Sequence, residues 1–470
     1  MVRLIGRDRE VQELEAFVSD PTVRGCAVYG VRQVGKTTLL RHVASGHRSV
    51  YIQAVKGSEE TIVERAMSYV RESFTVQDGP KTLSGLLDTI GGICSEAPTL
   101  VIIDEYPYMS KSLKHADSML QGFIDGPLAE TGSKIILCGS QMSSMLDIVK
   151  DDANPLYNRL RWSMEVREMS FVDTCLFHPE MDDLDQMRMY MVFGGMPLNH
   201  IDFSGSSFRE VIQRRFLSPG LPLSNIARAR IGSELADVDA CESIIRAIAA
   251  GRTSLKEITQ HTGINTSTCS KHIARMEGVG IIGRYHPMAG APERPRYRIE
   301  DGLVGLWYTV FDDLDEFSMP VDVGKRYELV EGGINTYLGH LFEKFCAGYM
   351  TRHYACDEMG SWWGVEVDED GDRVGVDIDI VAKVRESGRR LSVYAECKFR
   401  NRMMKKTDLD RLERRATALD DRANLVLFSS GGFERQLLAV APARGVVLIG
   451  VDELMERVPA PRLLGGGQGP

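Results

Sequence analysis

The run Gly30-Val31-Arg32-Gln33-Val34-Gly35-Lys36-Thr37 constrains this chain more than any other. It follows a short apolar stretch, Cys26-Ala27-Val28-Tyr29, and leads into Thr37-Thr38-Leu39-Leu40-Arg41-His42-Val43, whose apolar spacing predicts a helix. A GxxxxGK[ST] loop between a buried strand and a helix predicts a phosphate cradle, or P-loop. Gly30 and Gly35 let the backbone N–H groups of Val31, Arg32, Gln33 and Val34 curl around phosphate oxygens, and the next helix points its positive end at them. Lys36 adds a charge near the outer phosphates, the Thr37 hydroxyl is a magnesium ligand, and Thr38 closes the set.

A second apolar run, Thr99-Leu100-Val101-Ile102-Ile103, ends in Asp104 and Glu105, the Walker B pattern. Asp104 is expected to hold magnesium through its water shell, and Glu105 to act as general base on the attacking water. Lys134 to Gln141 reads as a further strand, after which Ser140 or Gln141 is placed to sense the γ-phosphate. With Ser49–Ile52 and Trp162–Val166 as strands, elements alternate and imply a parallel α/β sheet, ligand at the strand carboxyl ends.

At 470 residues the chain exceeds one comfortable core, and a scale of roughly 100–200 residues per domain predicts about three modules. Hydrophobic content of 43% and charged content of 26% lie in the globular range, so the modules are expected to fold without a partner. The nine cysteines are odd in number and never spaced as CxxC, which fits reduced thiols. The start, MVRLIGRDRE, carries charge where a signal peptide needs an apolar stretch, and no apolar run approaches the ~18 residues of a membrane span. A cytoplasmic protein without a membrane segment is expected.

From Asp237 the text becomes helix-turn-helix. Ala240–Ile248 is amphipathic, Ser254–Thr259 follows, Gly263 turns the chain, and Asn265 caps a third helix. Tyr285 to Ile299 is expected to form a wing. Between positions 241 and 300, nine basic residues face five acidic ones, although the whole chain carries -10. Ser267, Thr268, Ser270 and Lys271 are candidates to enter a DNA groove, and Arg294, Arg296 and Arg298 to meet phosphates. A structural or protein-binding winged helix is the alternative.

In the last third, a helix over Asn335–Phe345 carries Glu343. A strand Val374–Val381 carries Asp377 and Asp379, and Leu391–Phe399 carries Glu396 and Lys398. Period-two alternation puts Asp377 with Asp379, and Glu396 with Lys398, on one face of their strands. Beyond them Arg400, Arg402, Lys405, Lys406, Arg411, Arg414 and Arg415 make either a backbone-tracking face or a solvated helix with internal ion pairs.

Two resemblances follow. Residues 1 to about 235, through LIGRDRE, GVRQVGKTT, LVIIDEYPYM, LCGSQ, NPLYNRLRWSMEV and YMVFGGMPLNH, resemble the archaeal-type ATPase family of the AAA/STAND group. The resemblance implies adenine as the base, hence ATP. It also implies that Arg159 of Pro155-Leu156-Tyr157-Asn158-Arg159 reaches nucleotide in its own chain or a neighbour's, where Asn158 replaces the usual glycine; the plainer reading is an arginine paired with an acid. The ordered set Glu343, Asp379, Glu396 and Lys398 resembles the PD-(D/E)XK phosphodiesterase superfamily. This implies a second divalent cation, magnesium or manganese, on the three carboxylates, with Lys398 orienting or deprotonating water. Its alternative is a binding domain that does not cut.

The expected fold is α/β: a P-loop NTPase parallel sheet over 1–169, a helical lid over 170–236, a winged helix over 237–302, a linker over 303–334, a restriction-endonuclease-like α/β domain over 335–458 and a flexible tail over 459–470. The expected function is magnesium-dependent ATP hydrolysis coupled to DNA binding and metal-dependent DNA cleavage, with a homo-oligomer as a candidate assembly. The competing reading is a STAND-like switch whose terminal domains bind DNA or protein without cleavage.

Overall fold

Five short apolar runs become the strands Gly25–Tyr29 (β1), Ser49–Gln53 (β2), Leu100–Asp104 (β3), Lys134–Gly139 (β4) and Trp162–Glu165 (β5), all parallel in the order β2-β3-β4-β1-β5. The computed structural model describes residues 4–76, 79–218, 224–235, 237–288, 295–314, 320–367, 373–420 and 422–463. β3 and β4 are buried throughout because helices cover both faces, which is why they read as unbroken apolar runs. One side is closed by Ile62, Val63, Leu86, Ile90 and Leu120, the other by Leu14, Phe17, Leu39, Leu40 and Val43. The parallel sheet expected from the motif order is therefore present.

The described residues fall into two compact units, one running to Phe177 and including Gly195–Asp202, the other holding His178–Gly194 and Phe203 onward. The segment expected as a single lid, 170–236, is helical but shared between them. Met196 packs with Val34 and Leu39 in the first unit, whereas Asp183–Phe193 and Phe208–Phe216 belong to the second.

In the second unit, helices Val238–Ala249, Leu255–Thr262 and Thr266–Gly278 precede an antiparallel pair, Ile282–Tyr285 (β6) and Arg296–Ile299 (β7). Ile244, Ile245, Ile258, Cys269, Ile273 and Tyr297 form their shared core, as a winged helix requires. Residues 303–334, expected to be a linker, are instead helical where described: Gly302–Leu306 runs into a wider turn at Trp307–Phe311, and a 31-residue helix begins at Val323. Leu303, Val304, Leu306, Tyr308 and Phe311 are buried there, so this apolar text is core.

The C-terminal sheet comprises Ala355–Val367 (β8), Arg373–Glu386 (β9), Arg389–Lys398 (β10), Ala423–Ser429 (β11) and Val447–Ile449 (β12), in the order β12-β11-β10-β9-β8. β8, β9 and β10 pair antiparallel, and β10, β11 and β12 parallel. β8 escaped the sequence reading because shifts at Cys356/Glu358 and Gly360/Trp362 interrupt its alternation. The expected flexible tail is fixed as far as Leu463, which is buried and donates its N–H to Glu386 Oε1 (3.1 Å); the positions after it lie outside the described residues. No helix among the described residues is long and apolar enough to cross a membrane.

Candidate functional site

The loop after β1 turns back on its own lysine. Lys36 is buried, and its ammonium donates to the carbonyls of Gly30 and Val31 (both 2.8 Å). Burial lowers its pKa, opposed by Glu105 and Asp104. A methyl on Gly30 would stand 2.2 Å from the Val166 carbonyl oxygen, so only glycine fits. Gly35 caps helix Lys36–Ser45 at φ 98°, where glycine carries no steric penalty. Val31, Arg32 and Gln33 are exposed, Thr37 and Thr38 half-buried, and Val34 buried.

β3 delivers Asp104, fully buried, to the same place. The Thr37 hydroxyl donates to Asp104 Oδ2 (2.6 Å), the Tyr51 hydroxyl to the same oxygen (2.7 Å), and the Glu105 N–H to Oδ1 (3.0 Å). Burial first, then Asp104, raises the Tyr51 phenol, so it remains a donor. Glu105 holds a left-handed backbone (φ 55°), uncommon outside glycine, and accepts a hydrogen bond from the Ser140 hydroxyl (2.9 Å). Ser140 thus stands beside the candidate base. The oxygens of Thr37 and Asp104 suit a hard cation, and those of Glu105 suit a water proton.

Two residues of this site were not named from sequence. Tyr51 lies on an alternating strand and signals nothing by itself. Arg7, within the quoted LIGRDRE, is buried; it donates to the Val34 carbonyl (2.8 Å) and pairs with Glu10 (2.6 Å), bracing the loop from behind.

Arg159 does not join this site within its own chain. The pairing of Cys26 with Trp162 puts Arg159 at the amino edge of the sheet, roughly 16 Å of strand from the loop that follows Tyr29. Its guanidinium pairs with Asp125 (3.0 Å), the plainer of the two readings.

In helix Thr266–Gly278, Ser267 and Lys271 are exposed and Thr268 and Ser270 half-buried. Asn265 caps it by accepting the Thr268 N–H (2.9 Å). Of the wing arginines, Arg298 pairs with Glu343 (3.5 Å) and Arg296 lies over the Trp363 ring (4.4 Å). Arg294 lies outside the described residues.

Asp379 sits on β9 beside β10, accepting the Cys397 N–H (2.7 Å), and Lys398 pairs with Glu396 (2.5 Å). Burial, then Glu396 and Glu343, push the Asp379 carboxyl well above the usual range. Burial opposes the Lys398 ammonium, but Glu396 and Asp379 outweigh it and raise its pKa. The four expected residues therefore influence one another. Yet among the described residues no three His, Cys, Asp or Glu side chains form a group that could hold a metal ion. Lys398 occupies Glu396, while Arg298 and His340 (3.5 Å) occupy Glu343, so protein cations stand where a metal was expected. The basic stretch beyond is also largely paired: Arg400 with Asp408 (2.8 Å) and Lys406 with Asp410 (3.3 Å).

Residues 4–200 match a family described as an ATPase domain predominantly from Archaea. Residues 242–282 match winged helix-turn-helix DNA-binding domains, and 312–412 a family of archaeal and bacterial proteins of unknown function. An uncharacterized protein of Methanocaldococcus jannaschii is 23% identical over 379 residues, covering 77% of this chain and 83% of that protein. Among solved structures, a Walker-type ATPase of Pyrococcus abyssi aligns at 18% identity and TM-score 0.45, covering 65% of this chain and 96% of that one. The ORC2 protein of Aeropyrum pernix aligns at 12% and 0.42, covering 72% and 96%.

Proposed function

We propose, from the premise that residues 4–200 are an ATP-hydrolysing domain, that this chain uses ATP with magnesium to govern a nucleic-acid-binding C-terminal half. The observation that carries the first part is the Thr37–Asp104 hydrogen bond (2.6 Å) beside the Lys36 ammonium. Thr37 and Asp104 would hold magnesium, which would supply charge to offset that of the phosphates. Lys36 leaves its loop carbonyls for the outer phosphates. Glu105, held by Ser140, accepts the proton of the attacking water. Arg159 acts in a neighbouring chain, which makes a homo-oligomer part of the reading. Free thiols at all nine cysteines favour a cytoplasmic setting.

The second part rests on the exposed Ser267, in the first turn, and Lys271, near the middle of a capped helix. Duplex binding by the intact protein, measured across salt concentrations, tests it. Affinity should fall as salt rises and drop in Lys271→Ala; affinity indifferent to salt removes phosphate contact. The STAND-like reading without cleavage is favoured by the Lys398–Glu396 and Arg298–Glu343 pairs, in which protein cations neutralise two of the three carboxylates. The cleaving reading is favoured by the ordered set Glu343, Asp379, Glu396 and Lys398. Plasmid DNA incubated with manganese separates them: nicking lost in Lys398→Ala supports cleavage, and an intact plasmid with the native chain supports the switch.

A further inference from the structure

Asp104 is fully buried, and a buried carboxylate persists only where donors surround it. Its Oδ2 accepts from two hydroxyls carried by different elements, Thr37 at the head of helix Lys36–Ser45 (2.6 Å) and Tyr51 in β2 (2.7 Å). The tyrosine arrives there by register. Parallel pairing sets Tyr51 beside Ile102 and Gln53 beside Asp104, so positions 51 and 104 share one face of the sheet, offset by two residues. That diagonal is within reach of a long aromatic side chain. The ring is fixed in turn by Arg41, whose guanidinium lies over it, 4.8 Å from its centroid. Arg41 follows Thr37 by four residues in the same helix, so Tyr51 stands against the helix flank that carries Thr37. Thr37 is itself the proposed magnesium ligand, and the hydroxyl that can hold Asp104 without also meeting the metal is that of Tyr51.

We infer that Tyr51 is a positioning residue of the nucleotide site: its hydroxyl keeps the Asp104 carboxylate in one orientation and thereby sets how tightly the site retains magnesium. The inference rests on the magnesium reading proposed above and adds to it the residue that tunes the affinity. Hydrogen-bond partners behind a metal-holding carboxylate are worth about 10–100-fold in metal affinity, although they never touch the ion. Burial and the neighbouring Asp104 keep the phenol protonated, so it acts by donating its hydrogen and takes no part in proton transfer.

The test uses the full chain and a fluorescent, non-hydrolysable ATP analogue, whose binding is followed in EDTA and then across a titration with magnesium chloride; ATP turnover and the thermal midpoint are measured alongside. Tyr51→Phe keeps the ring and removes only the hydroxyl. It should leave nucleotide affinity in EDTA unchanged, raise the magnesium concentration at half-saturation about tenfold or more, and recover native turnover once magnesium is in excess. Arg41→Met removes the cation from the ring and leaves the hydrogen bond in place. It should lower the thermal midpoint without moving the magnesium curve. A magnesium curve for Tyr51→Phe that superimposes on the native one overturns the role of Tyr51, whatever its thermal midpoint, and the magnesium reading then stands alone. Equal displacement of the curve in both variants overturns it as well, because packing of the ring and not its hydroxyl would then be responsible. Native binding and turnover that are the same in EDTA and in magnesium overturn the inference together with the magnesium reading.

Discussion

The Thr37 hydroxyl donates to Asp104 Oδ2 at 2.6 Å, joining the first turn of a helix to the last residue of a strand 67 positions later. Beside it the Ser140 hydroxyl donates to Glu105, the proposed general base. Glu105→Gln should keep nucleotide affinity and lower turnover by about 10²–10⁴, the range of a lost general base. Lys36→Ala should weaken binding itself. Phosphate release alongside titration with a fluorescent nucleotide distinguishes them; unchanged hydrolysis in Glu105→Gln would show that another group is the base.

Gly30 lies against the Val166 carbonyl, 2.2 Å from where a methyl would sit. Gly30→Ala must displace either the loop or β5, at a cost of about 1–3 kcal/mol. Thermal unfolding with and without ATP should show a lower midpoint and a smaller upward shift on adding nucleotide than the native chain gives.

Arg159 and Asp125 form a half-exposed pair, so its loss should cost at most about 1 kcal/mol after solvent screening. Arg159→Ala should leave nucleotide affinity unchanged. Turnover per chain in the native protein should rise with protein concentration, and the variant should lose that rise. A native turnover independent of concentration would remove the action in a neighbouring chain.

Ser254 and Glu257 close a capping box at helix Leu255–Thr262. The Ser254 hydroxyl, then the Ser254 N–H, hold the Glu257 carboxyl below its ordinary pKa. A depressed folded value means stabilisation that is complete above the unfolded pKa, about 4.3, and lost as pH falls through the folded one. Ser254→Ala should therefore destabilise by about 1 kcal/mol near neutrality and by less in acid. Urea unfolding of both proteins at the two pH values checks the sign.

The nucleotide site was legible because its geometry is local: a strand, a glycine loop and a helix in sequence, then a strand ending in two acids. What escaped depended on distant partners. The partner of Arg298 could not be read from sequence, since Glu343 lies 45 positions later by number. Arg159 cannot be placed from sequence within its own chain, because only the β1–β5 register sets it at the other edge of the sheet from the loop. The supposed linker failed for a different reason: Leu303 to Phe311 lacks clean periodicity because its helix widens at Trp307, although its side chains are core. The acids Glu343, Asp379 and Glu396 were legible as one neighbourhood, whereas the pairing of Glu343 with Arg298 and His340 was not, because it depends on the fold.

The helix Val323–His353 touches several parts of its unit along its length. Arg326 donates to the Leu217 carbonyl near its start (3.0 Å), Tyr337 to the Gly302 carbonyl farther on (3.2 Å), and Glu343 meets the wing. At 1.5 Å per residue, about 25 Å separates Arg326 from Glu343 along one helix, with Gly332 and Gly333 between them. A tilt of about 5° pivoting near Arg326 would swing Glu343 sideways by about 2 Å, given that arm length. A displacement of that size equals more than half the Arg298–Glu343 separation, so the segment expected as a tether fixes where the wing's carboxylate partner stands.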